Sequence, residues 1–233
     1  GTISMLTRVA RLPLTRRGQL KHLTAEARAR GAALTRGGMY NWRVSAIHSA
    51  LEERGKAEGP LEVSDLTALG HLDQYHYLGT EACDQVIGLL GLNERSNLLD
   101  VGSGIGGPAR YFASTTGCRV TGLELQPELA QASVALTARV RSLEGKVVFH
   151  TGDAHEQLVR LPRAAFGHFV SLLVFLHIPQ RAALLRKCHD ALAPGGSFVI
   201  EDFIARASLT DTDRTTLEGT VRAPTVSSAD AYA

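Results

Sequence analysis

Apolar residues fall into two rhythms along this chain. Short apolar runs bounded by turn residues predict buried strands over 98–101, 119–125, 147–149, 169–174 and 198–203. Between them the spacing turns helical. After Pro127 and Glu128 come Leu129, Ala132, Leu136, Val140 and Leu143, closed by Gly145. After Pro179 come Leu184, Leu185, Cys188 and Leu192. A further helix precedes the first strand: Thr80 caps it, Ala82, Val86, Ile87, Leu89 and Leu90 form its apolar face, and Gly91 ends it. Strands joined by such helices imply right-handed crossovers. The fold class is therefore α/β, a doubly wound, mostly parallel sheet with helices on both faces.

Upstream, residues 5–57 read as helical, with breaks at Pro13 and Gly37-Gly38. Gly59-Pro60 marks a turn, and 61–79 stays ambiguous between short helix and loop. The chain divides into a basic, mainly helical extension, 1–74, and a core, 75–233.

The stretch Leu98-Leu-Asp-Val-Gly-Ser-Gly-Ile-Gly-Gly-Pro-Ala-Arg-Tyr-Phe112 is a strand, a glycine loop and a helix start. Gly102-x-Gly104-x-x-Gly107 is a literal dinucleotide fingerprint, which implies a pyrophosphate at the helix N-terminus. Asp100 argues the other way. A carboxylate beside the loop repels a pyrophosphate and suits a cationic amino group. Glu124 ends the second strand, where its two acceptor oxygens fit the two hydroxyls of a ribose. That reading holds for either class of nucleotide.

With Asp100, the loop reads Asp-x-Gly-x-Gly-x-Gly. This resembles the first motif of class I S-adenosylmethionine (SAM) methyltransferases, whose fold is Rossmann-like. Gly152-Asp153-Ala154 after the third strand strengthens the resemblance. It implies that Asp153 accepts from the adenine amino group. The match runs over roughly 75 to 205. Gly106-Gly-Pro-Ala-Arg110 and Leu176-His-Ile-Pro179 within it, with the upstream Asp73-Gln-Tyr-His-Tyr-Leu-Gly79 at its edge, are similar to the small-molecule subgroup: phosphoethanolamine, glycine–sarcosine–dimethylglycine and sterol methyltransferases. The resemblance implies SAM as cofactor, S-adenosylhomocysteine (SAH) as product and a small-molecule acceptor. It places cofactor contacts at Tyr77, Asp100, Gly102, Ser103, Gly104, Glu124, Leu125, Gln126, Asp153, Ala154 and Leu172.

The resembling phosphoethanolamine enzymes carry a catalytic histidine after the fourth strand, where this chain has His177. An imidazole near its ordinary pKa of ~6.5 suits proton transfer. A structural histidine bonded to a loop is the competing reading. His76 and Tyr77 would sit over the cofactor as part of a lid, with Tyr77 also on the catalytic side. Two features depart from the family. Leu172-Leu173 stands where polar or acidic residues are common, so an ammonium acceptor is poorly matched, although Glu201-Asp202 could partly restore an acidic wall. The family's usual sixth and seventh strands are not read before Ala233, so the C-terminal hairpin is expected to be missing, through truncation or an unusual short form.

Composition narrows the rest. Net charge is +2, but nine basic residues and one acid, Glu26, lie between Met5 and His48. This arm (Arg8, Arg11, Arg16, Arg17, Lys21, Arg28, Arg30, Arg36, Arg43) reads as a solvated helical extension covering the core or a partner subunit, and so as a route to a homo-oligomer. An organellar transit segment is the second reading, and a nucleic-acid patch ranks last for want of interleaved aromatics. Cytoplasm is the expected compartment, with mitochondrion or plastid the alternative. No apolar run spans a bilayer. Cys83, Cys118 and Cys188 are far apart and read as core residues. His150-x-x-Asp153-x-His155 fits no common helix-borne metal pair, so no metal is expected and a site there is the minor alternative. A noncatalytic SAM-fold partner subunit and an NAD-dependent oxidoreductase remain the alternative functions.

Overall fold

The computed structural model describes residues 40–205, 208–224 and 226–228. All of the basic arm except Arg43 lies outside the described residues.

Five strands form one parallel sheet in the order β3-β2-β1-β4-β5. They are β1 (Asn97–Val101), β2 (Arg119–Glu124), β3 (Val147–Thr151), β4 (Phe166–Leu172) and β5 (Leu192–Glu201). The order reverses between β1 and β4, and ligands of doubly wound sheets sit at the carboxyl ends of strands flanking such a point. Side chains alternate across β1. Leu98 packs into one apolar layer, and Leu99 and Val101 into the other.

Helices cover both layers. The first layer holds α1 (Trp42–Glu53), α2 (Val63–Thr67), α3 (Thr80–Leu90), α4 (Gly107–Thr116) and α5 (Pro127–Ala138). Ile47, Leu51, Leu61 and Leu66 from the extension share a cluster with Leu98, Ala109 and Phe112. α6 (Ala154–Arg160) and α7 (Arg181–Ala191) pack on the other face through Leu158, Leu184 and Cys188. All three cysteines are buried free thiols. Among the described residues no helix is long and apolar enough to cross a membrane.

Several boundaries differ from the pattern, each for a local reason. α5 stops at Ala138, and Val140 and Leu143 reach the same core through a single 3-10 turn, Arg141–Leu143. β5 starts at Leu192, because Pro194-Gly195-Gly196 forms a bulge between the pairs Phe166–Leu192 and His168–Ser197. α7 begins at Arg181, two residues beyond Pro179. Thr80 opens α3, but its side chain makes no cap bond; the preceding Gly79 is the capping residue. The ambiguous segment holds α2 and a 3-10 turn, Gly70–Leu72.

Beyond β5 the chain does not extend the sheet within the described residues. β6 (Ile204–Ala205) pairs in parallel with β7 (Ser227–Ser228), and α8 (Asp211–Val221) lies between them. Thr210 and Asp213 form a capping box at the start of α8.

Candidate active site

The glycine loop leaves β1 at its carboxyl end and is bound to β2 before α4 begins. Gly102 and Ser103 both donate their amides to Leu123 O, at 2.8 and 2.9 Å. Gly104 donates to Glu124 Oε2 at 2.8 Å, and Gln126 donates to Oε1 at 2.9 Å. The Glu124 main-chain carbonyl accepts from Gly152 at 2.8 Å. One residue thus fixes the loops after β1 and β3 together. Gly102 lies at φ +82°, and a Cβ there would collide with the Val174 side chain, so the loop and the β4 exit touch directly.

Two carboxylates face the loop on the same side of the sheet. Glu124 is 6% exposed. Burial raises its pKa, and the amides of Gln126 and Gly104 pull it back. Each of its oxygens retains acceptor capacity beyond one amide. Asp100 is 2% exposed, and its Oδ2 has no hydrogen-bond partner among the described residues. Burial, then the neighbouring Glu124 charge, pushes its pKa up to about 7. Ser103 Oγ is likewise buried and unpartnered. Such orphaned polar atoms are costly unless a ligand completes them.

Asp153 stands at the mouth after β3. Its Oδ1 accepts from the His155 amide at 2.7 Å, capping α6, and this uses one carboxylate oxygen. Ala154 is half-buried beside it, Leu125 is 63% exposed and Gln126 is half-buried. Among the described residues no three potential ligands cluster for a metal.

Arg43 corrects one expectation. It is 4% exposed rather than solvated. Its Nε and Nη2 donate to Leu72 O at 3.3 and 2.7 Å, and its guanidinium lies 4.5 Å from the Tyr75 ring. Burial lowers its pKa to about 10, opposed first by Asp73. Its Nη1 faces the glycine loop: a Cβ on Gly104 would sit 3.7 Å from it. No spacing rule signals that contact, because it joins α1 to a loop sixty residues on.

The segment over the loop is pinned from below. Asp73 forms an ion pair with Arg110 at 2.6 Å, and both side chains are essentially fully buried. Gln74 Nε2 donates to Asp73 Oδ2 at 2.8 Å, and Gln74 Oε1 lies 3.1 Å from His76 Nε2. Burial drops the His76 pKa to about 4, opposed by its contact with the Tyr77 carbonyl, and both ring nitrogens are held within the segment. Tyr77 is 41% exposed, with its ring 5.8 Å from Phe203. The motifs around Asp73 and Arg110 are visible in the sequence, but their pairing is not.

Leu172 ends β4 in register with Glu201 of β5. Burial raises the Glu201 pKa to about 7, while the Tyr77 amide works against it. Leu173 then takes a left-handed φ of +57°, and a 3-10 turn, Phe175–His177, follows. His177 Nδ1 lies 2.7 Å from Arg222 O. Its ring is 6.3 Å from Tyr40, and Tyr40 in turn is 4.9 Å from Tyr75. Burial lowers the His177 pKa. The sequence-predicted residues therefore form two groups: Asp100, Gly102, Ser103, Gly104, Glu124, Leu125, Gln126, Asp153 and Ala154 around the loop, and Tyr77, Leu172 and His177 along the β4 and β5 exits. Tyr40 and Arg43 complete the surroundings without a local sequence signal, and Asp73 does so from a motif whose partner the sequence does not show.

Comparison with known proteins places this geometry. Residues 99–200 match the family described as "Methyltransferase domain". Methyltransferase GfsG of Streptomyces halstedii is 31% identical over 153 residues, covering 64% of this chain and 52% of that protein. The 27-O-demethylrifamycin SV methyltransferase of Amycolatopsis mediterranei is 30% identical over 125 residues, covering 54% and 45%. The chain thus spans about half the length of these relatives. Among solved structures, Haemonchus contortus phosphoethanolamine N-methyltransferase 2 in complex with S-adenosyl-L-methionine superposes with a TM-score of 0.59. That likeness has 19% identity over 79% of this chain and 42% of the other, and it concerns the fold alone.

Proposed function

We propose that this chain, whose residues 99–200 match a methyltransferase-domain family, transfers a methyl group from SAM to a small-molecule acceptor. One observation carries the reading: a buried, unpartnered Asp100 oxygen beside a glycine loop that is itself held by Glu124. SAM supplies an electrophilic methyl on a sulfonium centre.

Each residue then has a defined task. Asp100 receives the ammonium of the cofactor's amino-acid end, and Arg43 Nη1 receives its carboxylate. Glu124 uses its remaining lone pairs on the ribose hydroxyls. Asp153 keeps one oxygen for the adenine amino group, while Leu125 and Ala154 offer the base apolar contact. Tyr77 and the pinned segment 73–77 exclude water from above. Alignment and a dry cavity are most of what a displacement at a sulfonium needs.

On the acceptor side Leu172 and Leu173 give an apolar wall. Glu201, with its raised pKa, is a weak anion near neutrality. A neutral hydroxyl or similar nucleophile fits this wall better than an ammonium compound. Such a nucleophile arrives protonated, and His177, with Tyr40 alongside, is positioned to take the proton.

The test is a screen for SAH release with panels of phenols, secondary alcohols, thioethers and amines. Turnover on neutral acceptors supports the proposal. Turnover confined to amines contradicts the acceptor assignment, and absence of SAM binding contradicts the whole.

A further inference from the structure

Arg222 closes α8 in a left-handed conformation, φ +50° and ψ +47°. Its carbonyl oxygen lies 2.7 Å from His177 Nδ1, across 45 residues of sequence. A carbonyl can only accept, so Nδ1 carries the proton. In a neutral imidazole Nε2 is then the lone-pair nitrogen.

We propose that the α8 cap, with residue 222 held in left-handed backbone, sets the tautomer of His177 and leaves Nε2 as the proton acceptor. The inference rests on the reading of His177 as the base. Both ends of the bond are anchored in one apolar cluster. Ala223, next to Arg222, is 2% exposed and clusters with Leu176, next to His177, and with Val226. The Arg222 amide donates to Glu218 O at 3.1 Å, and the Ala223 amide to Leu217 O at 3.2 Å, so the cap cannot rotate freely. The Arg222 guanidinium acts on the His177 ring, and Tyr75, Arg43, Arg222 and Tyr77 act on the neighbouring Tyr40 phenol.

The proton balance follows. The acceptor X–H gives its proton to Nε2 as the X–C bond forms. The S–C bond breaks with its electron pair going to sulfur, which leaves a neutral thioether. The imidazolium keeps its Nδ1–H bond to Arg222 O, now charge-assisted, so the same contact that selects the tautomer also stabilises the protonated ring. Arg222 acts here as a positioning residue, and it lies outside the segment 99–200.

The experiment is long-range proton–nitrogen NMR on histidine-labelled protein, with the His177 signal assigned from its loss in His177→Gln. The intact chain is expected to show a protonated Nδ1; a protonated Nε2 overturns the proposal without any variant. Arg222→Gly suits the left-handed backbone and keeps the carbonyl, so it should retain the tautomer. Arg222→Val, β-branched where φ is positive, should lose it. Arg222→Gly should also turn over at least fivefold faster than Arg222→Val, with SAH affinity in the two within a factor of two. Equal loss of turnover in both variants with the tautomer retained assigns the effect to the guanidinium and overturns the proposal. A protonated Nδ1 with full turnover in His177→Gln keeps the tautomer assignment but removes the base reading beneath it.

Discussion

Gly104 donates its amide to Oε2 of Glu124 at 2.8 Å, and this bond makes one carboxylate both the anchor of the glycine loop and the candidate ribose ligand. Replacing Glu124 with alanine removes both roles. Charge-assisted hydrogen bonds contribute roughly 1.5–3 kcal/mol each, so SAH affinity should fall more than tenfold. Calorimetry checks this, and unchanged affinity rejects the ribose assignment. Glu124→Gln should fall between wild type and Glu124→Ala, because its side-chain oxygen can still accept one backbone amide while its NH2 cannot accept the other.

Breaking the buried Asp73–Arg110 pair should be costly. Arg110→Leu leaves the Asp73 carboxylate buried without its cation, and such a loss costs about 3–5 kcal/mol. Urea denaturation measures it. A loss under about 1 kcal/mol means that Asp73 becomes solvated and the segment over the loop is not pinned as described.

Asp100 should make cofactor affinity depend on pH. Its folded pKa, about 7, lies above its ordinary 3.8, so the native state holds the proton more tightly. Its contribution to stability is therefore full below about pH 4 and declines until about pH 7. His76 works in the opposite sense. Its pKa falls from 6.5 to about 4, so the stability it contributes is lost as pH drops through that interval. The difference between wild type and Asp100→Asn isolates the first effect. An ammonium ligand favours ionised Asp100, so SAH affinity should rise roughly tenfold from pH 6 to pH 8 in wild type and stay flat in the variant. Parallel profiles contradict the assignment.

His177→Ala should slow turnover on a protonated acceptor by roughly 10²-fold or more while SAH affinity stays within about twofold. An equal loss in both quantities points to a structural histidine instead.

Much of the sheet was readable because parallel strands buried on both faces leave continuous apolar runs, as at Leu98-Leu99 and Val170. The loop side of the site was readable because Asp100, Gly102, Gly104 and Glu124 are tied to strand ends by chain geometry. Arg43 was not. Its charge pattern is that of a solvated arm, and only the packing of α1 shows that Leu72 O and the Tyr75 ring enclose it. The Asp73–Arg110 pair and the His177–Arg222 bond were hidden for the same reason. Each joins residues 37 to 45 apart whose local sequences carry no mark of their partner. Strand and helix ends shifted where a glycine or a left-handed residue, such as Leu173, decided the turn rather than hydrophobicity.

The most direct test of the central claim is calorimetric titration of the purified chain with SAH and, separately, with NADH. The Asp100 carboxylate, the Glu124-held loop and Arg43 predict saturable one-to-one binding of SAH and none of NADH. Binding of NADH without SAH would contradict the account at its foundation, because it would make the loop a pyrophosphate cradle despite Asp100.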